Sequence, residues 1–391
     1  MKKSHQKHAK LERPRLGQFG RNEFALIGTP CGKIQRLARH LIQRCSDRFR
    51  LGYIDAKHRK GDPPIPDPKS MLTHGAHLTY TDEILHHRFD SRDTLNPHQQ
   101  RIRFNSCDGL LVNGNHFKAD RQIVIIDPRK RESLSRKLDR LTNVALILLD
   151  EGVEDIHDFL KTHLDYLAEI PVMSLSNVDR ISGWLKGQLK ESIPPVRGLV
   201  LAGGKSQRMG HDKGAIEYHG QPQREFMACE MDRLGLDVYL SVRQDQAATI
   251  DSKFAKLSDS FLGLGPFGAL LTAFRQDPNA AWMVAACDLP LLDAGTLDYL
   301  LVNRDPSQLA TAFNSPVNDF PEPLIAIWEP RAYPVLLEFL AQGFACPRKV
   351  LINSDVHLID APNPKALQNI NTPEEYDAFL KTLETSSLNK E

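Results

Sequence analysis

The chain has 391 residues, 41% of them hydrophobic and 25% charged, and its formal net charge is +1. This length predicts two domains, and the near-neutral charge excludes the strong positive field that would favour nucleic acid or an anionic membrane as a partner. No apolar stretch approaches the roughly 20 residues of a membrane span. The N-terminus has no signal-peptide core, and the six cysteines show no CxxC spacing. We therefore predict a cytoplasmic protein with reduced thiols and no structural zinc site.

The first half of the chain alternates apolar strands with helical segments. Residues 1–22 form a basic segment without apolar periodicity, which predicts a flexible arm. The strand "FALIGT" precedes a helix with apolar residues at helical spacing, and later strands are "RLGYIDA", "GLLVNG", "QIVIID" and "VALILLD". Because this alternation is typical of a parallel sheet covered by helices, we predict a first α/β domain over residues 23–190.

The second half repeats this alternation after a proline-rich boundary. The segment "ESIPPVRG" separates the helix "VDRISGWLKGQLK" from a strand at 196–202. Helices near 222–234, 266–276 and 293–303 alternate with the strands "DVYLSV" and "WMVAA", and "NTPEEYDAFLKTLE" predicts a capped helix near the end. We therefore predict a second α/β domain over residues 196–385, and expect both domains to be doubly wound with mainly parallel sheets.

A glycine-rich, basic loop follows the first strand of the second half. In "LAGGKSQRMGHDKG", residues 201–214, glycines let backbone N–H groups approach a phosphate, and Lys205, Arg208 and Lys213 add positive charge. The spacing matches neither GxGxxG nor GxxxxGK[ST], which excludes the usual dinucleotide and P-loop signatures. Taken alone, such a loop is more often a plain tight turn than a phosphate site.

Several segments resemble one enzyme family in the same order along the chain. "LVLAGGKSQRMGHDKG" resembles the LAGGxSxRMGxDK signature of the MobA-like nucleotidyltransferases, whose best-known member is molybdenum cofactor guanylyltransferase. "SDSFLGLGPFGALLTAF", "AACDLPLLD", "EPLIAIWEP" and "NINTPEEY" resemble later segments of that family. The resemblance covers residues 196–380 and implies a Rossmann-like nucleotidyltransferase fold for the second domain.

The resemblance implies a role for residues of three of these segments. Lys213 and Arg208 would neutralise phosphate charge during catalysis, and Asp288, at the end of a strand, would hold Mg²⁺. The implied nucleotide-binding residues are Leu201, Ala202, Gly203, Gly204, Lys205, Ser206 and Asp259. Asp259 would accept hydrogen bonds from guanine.

The carboxylates also have simpler interpretations. Asp288 could cap the helix that follows it, although the presence of the 201 loop favours the metal role. Asp259 lies in a serine-rich loop, where forming a turn is as plausible as contacting a base. Asp212 is either a second carboxylate near the metal or a solvated partner of Lys213.

The implied reaction transfers GMP from GTP to molybdopterin, or to its molybdenum form, and releases pyrophosphate. Molybdoenzyme apoproteins and cofactor-insertion proteins are further candidate partners, whereas nucleic acid and membranes are not. Two departures concern the base and the acceptor: Arg243 follows "YLSV" where guanylyltransferases often place an asparagine, and "GPFGAL" shifts the second glycine of the family's GPLAG. The alternatives are a transferase that uses CTP or another NTP on a different phosphorylated acceptor, and a non-catalytic cofactor-binding protein.

A second glycine–lysine loop, "GTPCGK", lies at residues 28–33. It resembles a P-loop that has lost one residue between its glycines, and Ile34 stands where a Ser or Thr hydroxyl would bind Mg²⁺. The segments that follow resemble MobB, the small GTP-binding companion of MobA, but Asn113 replaces the expected acidic residue. We therefore predict a degenerate MobB-like P-loop domain. Its remaining basic and histidine side chains either bind an anionic partner or belong to a purely structural or dimerising domain; they are Lys33, Lys57, His58, His74, His77 and His116.

Overall fold

The computed structural model describes residues 10–57, 70–203, 213–370 and residue 375. Its contacts divide the chain into two compact units, one spanning Leu16–Ser192 and the other combining Met1–Arg15 with Ile193–Glu391. Each unit contains its own mainly parallel sheet, which confirms the predicted α/β class. Across the described ranges, no helix is long and apolar enough to cross a membrane.

The first unit is built on a six-stranded sheet in which every neighbouring pair of strands is parallel. The elements, in chain order, are β1 (Glu23–Ile27), α1 (Cys31–Cys45), β2 (Leu51–Ile54), β3 (Leu78–Asp82), β4 (His87–Ser91), α2 (Pro97–Arg103), β5 (Gly109–Asn113), β6 (Arg121–Ile126), α3 (Arg131–Ser135), β7 (Val144–Leu149), α4 (Asp158–His163), β8 (Val172–Ser174) and α5 (Val178–Glu191). The strand order is β2-β5-β1-β6-β7-β8, and β3 and β4 form a separate antiparallel hairpin.

Apolar side chains bury both faces of this sheet. All five residues of β1 are buried, as expected for a central parallel strand covered on both sides. On α1, Ile34, Leu37 and Leu41 are buried at helical spacing and pack in one cluster with α5. Leu134 and Leu160 belong to the cluster on the opposite face. The predicted strands are therefore the scaffold that holds the loop at residues 28–33.

The segment before β1 is packed, which differs from the flexible arm predicted for residues 1–22. Phe19 is 2% exposed and makes edge-to-face contacts with Phe104 and Phe117 at centroid distances of 6.5 and 5.5 Å. The buried carboxylate of Glu23 accepts hydrogen bonds from the backbone N–H groups of Gln18, Phe19 and Gly20. The prediction failed here because residues 16–22 lack apolar periodicity, and one aromatic anchor and one buried carboxylate order them instead. Residues 1–9 lie outside the described ranges.

The second unit contains a seven-stranded mixed sheet. Its elements are β9 (Val196–Leu201), α6 (Gln223–Arg233), β10 (Asp237–Val242), β11 (Ala255–Ser258), α7 (Pro266–Gln276), β12 (Ala281–Ala286), α8 (Ala294–Val302), β13 (Ala310–Asn314), β14 (Pro321–Trp328), α9 (Ala332–Ala341), α10 (Pro347–Ile352) and β15 (His357–Ile359). The strand order is β11-β10-β9-β12-β14-β13-β15, and only β14 runs antiparallel to its neighbours. Of the predicted terminal helix, only Glu375 is described, and it is helical.

The two glycine–lysine loops follow corresponding strands in the two sheets. The strand order reverses at β1, which lies between β5 and β6, and at β9, which lies between β10 and β12. Ligands of open α/β sheets bind in the crevice at the carboxyl ends of the strands on either side of such a reversal. The loop after β1 and the loop after β9 therefore each begin at the edge of the sheet where a ligand is expected.

Candidate functional site

A pocket of about 180 Å³ lies at the carboxyl edge of the second sheet. Its lining includes Leu201, Ala202, Gly203, Asp259 and Asp288, which come from three separate segments and were all predicted as site residues. The remaining lining residues are Gly214, Ser241, Gly265, Pro266, Ala269, Ala286, Cys287 and Leu324. The fold thus brings together every predicted site residue whose side chain and surroundings are described.

The start of the 201 loop lies against the end of β10. The N–H of Ala202 donates to the carbonyl of Ser241 at 2.9 Å. A Cβ added to Gly203 would lie 3.0 Å from the Arg243 nitrogen and 3.2 Å from the Val242 carbonyl carbon. Because both of these contacts are with backbone atoms, a larger residue at position 203 would push the loop away from β10 and change the pocket wall.

Asp259 follows β11, the strand that lies on the other side of β10 from the 201 loop. Its N–H donates to the carbonyl of Val242 at 3.1 Å, and its Oδ1 accepts a hydrogen bond from the Ser241 hydroxyl at 3.2 Å. Partial burial raises the pKa of the Asp259 carboxyl, and the hydrogen bond from Ser241 opposes part of that shift. The result is a half-buried acceptor that faces the pocket. Ser241 was missed by the sequence reasoning, although a single hydroxyl near the end of the buried strand β10 was an available signal.

The N-terminus of α7 also contributes to the pocket wall. Gly265 precedes the helix, Pro266 is its first residue, and Ala269 lies one turn later. The first N–H groups of a helix have no partner within the helix and carry a partial positive charge, which favours anions such as phosphates. The motif containing Gly265 and Pro266 resembles a segment of the family, but neither residue was predicted as part of the site.

Asp288 follows the fully buried strand β12 and lines the pocket beside Cys287, which is 4% exposed. Within the described ranges, no group of three or more His, Cys, Asp or Glu side chains is arranged to hold a metal ion. Mg²⁺ is usually held by one or two carboxylates while substrate phosphates and water complete its coordination. The Asp288 carboxylate at the pocket wall is therefore compatible with a metal that arrives with a triphosphate.

The remaining predicted residues lie partly outside the described chain. Gly204, Lys205, Ser206, Arg208 and Asp212 fall in the segment 204–212, outside the described residues. Lys213 begins a short 3₁₀ helix, Lys213–Ala215, and the adjacent Gly214 lines the pocket. The backbone of Lys213 is thus next to the pocket wall, and its catalytic role remains a prediction.

Arg243, one of the departures from the family pattern, lies at the end of β10. Its guanidinium forms a bidentate pair with Asp245, with Nε–Oδ1 and Nη2–Oδ2 distances of 3.0 and 2.8 Å. The pair is local, since the two residues are two positions apart. Arg243 is therefore partly neutralised by its own loop, and its N–H forms part of the contact with Gly203.

The loop after β1 has different surroundings. Gly28 has a φ of +101°, and a Cβ there would lie 2.3 Å from the carbonyl oxygen of Ile125, so a glycine is required. Lys33 forms a close ion pair with Asp150 and lies 3.9 Å from Asp127. Asp127 is fully buried at its side chain and also binds Arg129 and the Thr29 hydroxyl. Protein carboxylates therefore already neutralise the lysine that would meet a phosphate in a working P-loop.

The two substituted positions of the degenerate loop have structural partners. Ile34 is completely buried in the core between α1 and the sheet, where a metal-binding hydroxyl would have no access to solvent. The amide of Asn113 donates from Nδ2 to Asp55 Oδ1 at 2.7 Å, and Asp55 also accepts from Tyr53 at 2.7 Å. A glutamate at position 113 would place a second carboxylate against Asp55. The amide of Asn113 instead donates a hydrogen bond to that carboxylate.

Two of the other residues predicted for an anionic partner have carboxylate partners in different parts of the first unit. His77 pairs with Asp93 at 3.1 Å beside the β3–β4 hairpin, while His116 lies 3.8 Å from Asp55 near the 28 loop. His58 lies outside the described residues. Binding of an anion by the first unit therefore remains a prediction.

Comparisons of the sequence match part of the chain to known proteins. A family model described as the MobA-like NTP transferase domain matches residues 198–357. A molybdenum cofactor biosynthesis bifunctional protein from Synechocystis sp. is 34% identical over 191 residues, which are 49% of this chain and 55% of that relative. A molybdenum cofactor guanylyltransferase from Pseudomonas putida is 30% identical over 198 residues, which are 48% of this chain and 98% of that relative.

Two solved structures resemble the chain. Molybdopterin-guanine dinucleotide biosynthesis protein A from Archaeoglobus fulgidus has a TM-score of 0.41 at 20% identity, covering 48% of this chain and 99% of that chain. MobB from Bacillus subtilis has a TM-score of 0.33 at 14% identity, covering 43% of this chain and 97% of that chain. Because both TM-scores are below 0.5, the assignment of the family depends on the sequence matches.

The second unit is an α/β domain with a pocket at the reversal of its strand order, and the family match and the sequence relatives identify it as a nucleotidyltransferase domain. The chain belongs to the MobA-like NTP transferase family, as the sequence resemblance predicted. The relatives are named for molybdenum cofactor biosynthesis, which supports a nucleotidyl-transfer role in that process. The chain spans about half the length of the Synechocystis relative.

Proposed function

We propose that the protein is an Mg²⁺-dependent guanylyltransferase that transfers GMP from GTP to molybdopterin and releases pyrophosphate. The observation that carries this proposal is the convergence of Gly203, Asp259 and Asp288, from separate segments, on one pocket at the reversal of strand order in a mainly parallel sheet. The names of the sequence relatives supply the acceptor and the nucleotide. The proposal assigns the activity to residues 196–385 and treats residues 23–190 as a separate domain.

The proposed chemistry is an in-line substitution at phosphorus. An oxygen of the terminal phosphate of the acceptor attacks the α-phosphorus of GTP, the bond to the bridging oxygen breaks, and pyrophosphate leaves with the electron pair. Catalysis of this kind depends on positioning and on neutralising charge. Bound Mg²⁺ would neutralise phosphate oxygens, and Asp288 is the residue that would hold it.

The groups around the pocket suit the parts of a nucleotide. Backbone N–H groups of the α7 N-terminus favour phosphates, and we assign the 201 loop, with Arg208 and Lys213, to the same anionic part. Asp259 is a carboxylate acceptor in a partly apolar wall, which suits the N1–H and amino donors of guanine. The hydrogen bond from Ser241 fixes the orientation of this carboxylate.

A pyrophosphate-release assay tests the proposal directly. The full chain with Mg²⁺ and molybdopterin should release pyrophosphate with GTP and much less with CTP. A preference for CTP would contradict the proposed specificity for guanine but would agree with nucleotidyl transfer. Binding of GTP or molybdopterin without any pyrophosphate release would instead favour the non-catalytic cofactor-binding alternative.

A further inference from the structure

Three consecutive backbone carbonyls after β12 are each bound by a donor from a different part of the second unit. The carbonyl of Asp288 accepts from the N–H of Ile370 at 2.8 Å. The carbonyl of Leu289 accepts from Gln223 Nε2 at 3.2 Å, and the carbonyl of Pro290 is 2.7 Å from His219 Nε2. The segment that carries the proposed metal ligand is therefore held on one side by three bonds, while Asp288 itself lines the pocket.

Each donor is fixed by contacts of its own. Gln223 is fully buried at the start of α6, and its N–H donates to the carbonyl of Ile216 at 2.9 Å. The ring of His219 stacks on Phe226 with a centroid distance of 3.9 Å and an interplanar angle of 20°. Ile370 is 4% exposed and follows Leu367, which belongs to the core cluster on this side of the sheet.

The amide of Gln223 is used as a donor at some cost. In the described structure its Oε1 is buried and has no hydrogen-bond partner. A buried acceptor without a partner is unfavourable, and an apolar side chain of similar length would avoid that cost. The amide offsets this cost with the hydrogen bond from Nε2 to the Leu289 carbonyl, which an apolar side chain could not form.

We propose that His219, Gln223 and Ile370 form a clasp that fixes residues 288–290 and so positions the Asp288 carboxylate for the metal. The inference rests on the proposed function, because it assumes that Asp288 is the metal ligand. His219 and Gln223 are positioning residues, since neither needs to touch the nucleotide. His219 must carry a proton on Nε2, because a carbonyl oxygen only accepts.

A matched pair of substitutions at His219 tests the clasp. His219 is solvent-exposed, so its replacement is compatible with folding. His219→Phe keeps the stacking on Phe226 and removes the donor, whereas His219→Gln keeps a donor near the position of Nε2. We expect His219→Phe to raise the Mg²⁺ concentration for half-maximal pyrophosphate release about 10-fold, with the KM for GTP at saturating Mg²⁺ unchanged. His219→Gln should stay close to wild type.

A second readout does not depend on activity. Hydrogen exchange of peptides covering residues 284–292 should be faster in His219→Phe than in wild type, and close to wild type in His219→Gln. Gln223→Met, which keeps the length and loses the donor, should show the same two effects as His219→Phe. Thr311→Val is the control, since it removes a buried hydroxyl that accepts from the Asp305 N–H at 2.9 Å in another part of the unit. It should lower stability without changing the Mg²⁺ requirement.

The outcomes separate the clasp from the proposed function. If wild type responds to Mg²⁺ and His219→Phe matches it in both readouts, the clasp is wrong. If His219→Phe and Thr311→Val alter the Mg²⁺ requirement equally, the effect is general destabilisation and the clasp is also wrong. A wild-type chain without any response to Mg²⁺ overturns the proposed function, and the role of the clasp with it.

Discussion

The two glycine–lysine loops occupy equivalent places in their sheets and differ in the charges around them. Both follow a central strand at the reversal of strand order. In the first unit, Lys33 meets two carboxylates, Asp127 and Asp150, that come from the ends of neighbouring strands. In the second unit, the loop begins beside a pocket that also contains the N-terminus of α7 and one carboxylate suited to a metal.

This difference teaches that a glycine turn alone does not make a phosphate site. The turn supplies a backbone conformation, but a phosphate must also compete with the groups already present. Asp127 and Asp150 give Lys33 internal anions, so an incoming phosphate would have to displace a buried carboxylate or lie next to it. These ion pairs of Lys33 stabilise the first unit without a ligand and disfavour nucleotide binding there.

The largest expected effect is the loss of the metal ligand in the second unit. Asp288→Asn should lower pyrophosphate release about 10³-fold, because the amide cannot supply the anionic oxygen for Mg²⁺. The matched change Asp150→Asn in the first unit should leave turnover within about 2-fold of wild type, because substitutions remote from a site usually have small effects. Steady-state kinetics with circular dichroism as a folding check measures both, and near-normal turnover of Asp288→Asn would mean that the metal ligand lies elsewhere.

The two lysines provide the second comparison. Lys213→Ala should lower turnover about 100-fold, because a charge that neutralises the reacting phosphate would be lost. Lys33→Ala should leave turnover unchanged and lower the free energy of unfolding by about 2 kcal/mol, since Asp150 would lose its ion pair. Urea denaturation and initial rates on the same samples check this. Equal losses of turnover in the two variants would contradict the division of roles.

Asp259→Asn should weaken GTP binding about 10-fold, because an amide can offer only one of the acceptors that a carboxylate presents to guanine. The same change should stabilise the protein without ligand at neutral pH. Burial raises the pKa of Asp259, so its ionised form is disfavoured in the folded state. As the pH falls through the raised pKa, Asp259 of the wild type becomes protonated and the cost of burying its charge disappears. The difference in stability between the two proteins should therefore shrink in acid. Thermal unfolding with and without GTP across acidic and neutral pH measures both effects, and an Asn variant that binds GTP normally would remove Asp259 from the base site.

A smaller effect on activity is expected from the buried carboxylate of the first unit. Arg129 holds the pKa of Asp127 well below its usual range despite burial, with help from Thr29. The stabilisation is complete above the unfolded pKa of about 4 and is lost as the pH falls through the lowered folded value. Asp127→Asn should therefore be about 2 kcal/mol less stable than wild type at neutral pH, with a difference that narrows in acid and no change in turnover. Urea denaturation over a pH series tests the sign, and a variant as stable as wild type at neutral pH would show that the Asp127 network contributes little.

The smallest expected effect is NTP hydrolysis by the first unit. In the full-length Asp288→Asn variant, Mg²⁺ with GTP or ATP should give hydrolysis no faster than the buffer background. Ile34 supplies no hydroxyl and Asn113 no carboxylate for a metal ion, and Lys33 is already paired. Hydrolysis well above background in this variant would show that the first loop still works.

Much of the scaffold was predictable because the apolar strands and the strongest helices carry local patterns. The strand "DVYLSV" and the helix at 266–276 were predicted with the bounds that the structure shows. The β3–β4 hairpin and the antiparallel direction of β14 were not predicted, since the partner and the direction of a strand depend on distant segments. Among the site residues, Asp288 followed from the motif after a buried strand, whereas Ser241 and the three donors to residues 288–290 have no motif of their own.

The sequence by itself determined the two α/β halves, the family of the second half, and the loops at residues 28–33 and 201–214. It did so because glycines, buried strands and turn residues act on the backbone over a few positions. Only the tertiary structure decided what each loop meets, as the pair of Lys33 and Asp150 joins residues 117 positions apart. The order of strands in the sheet sets that contact, and no local pattern encodes it.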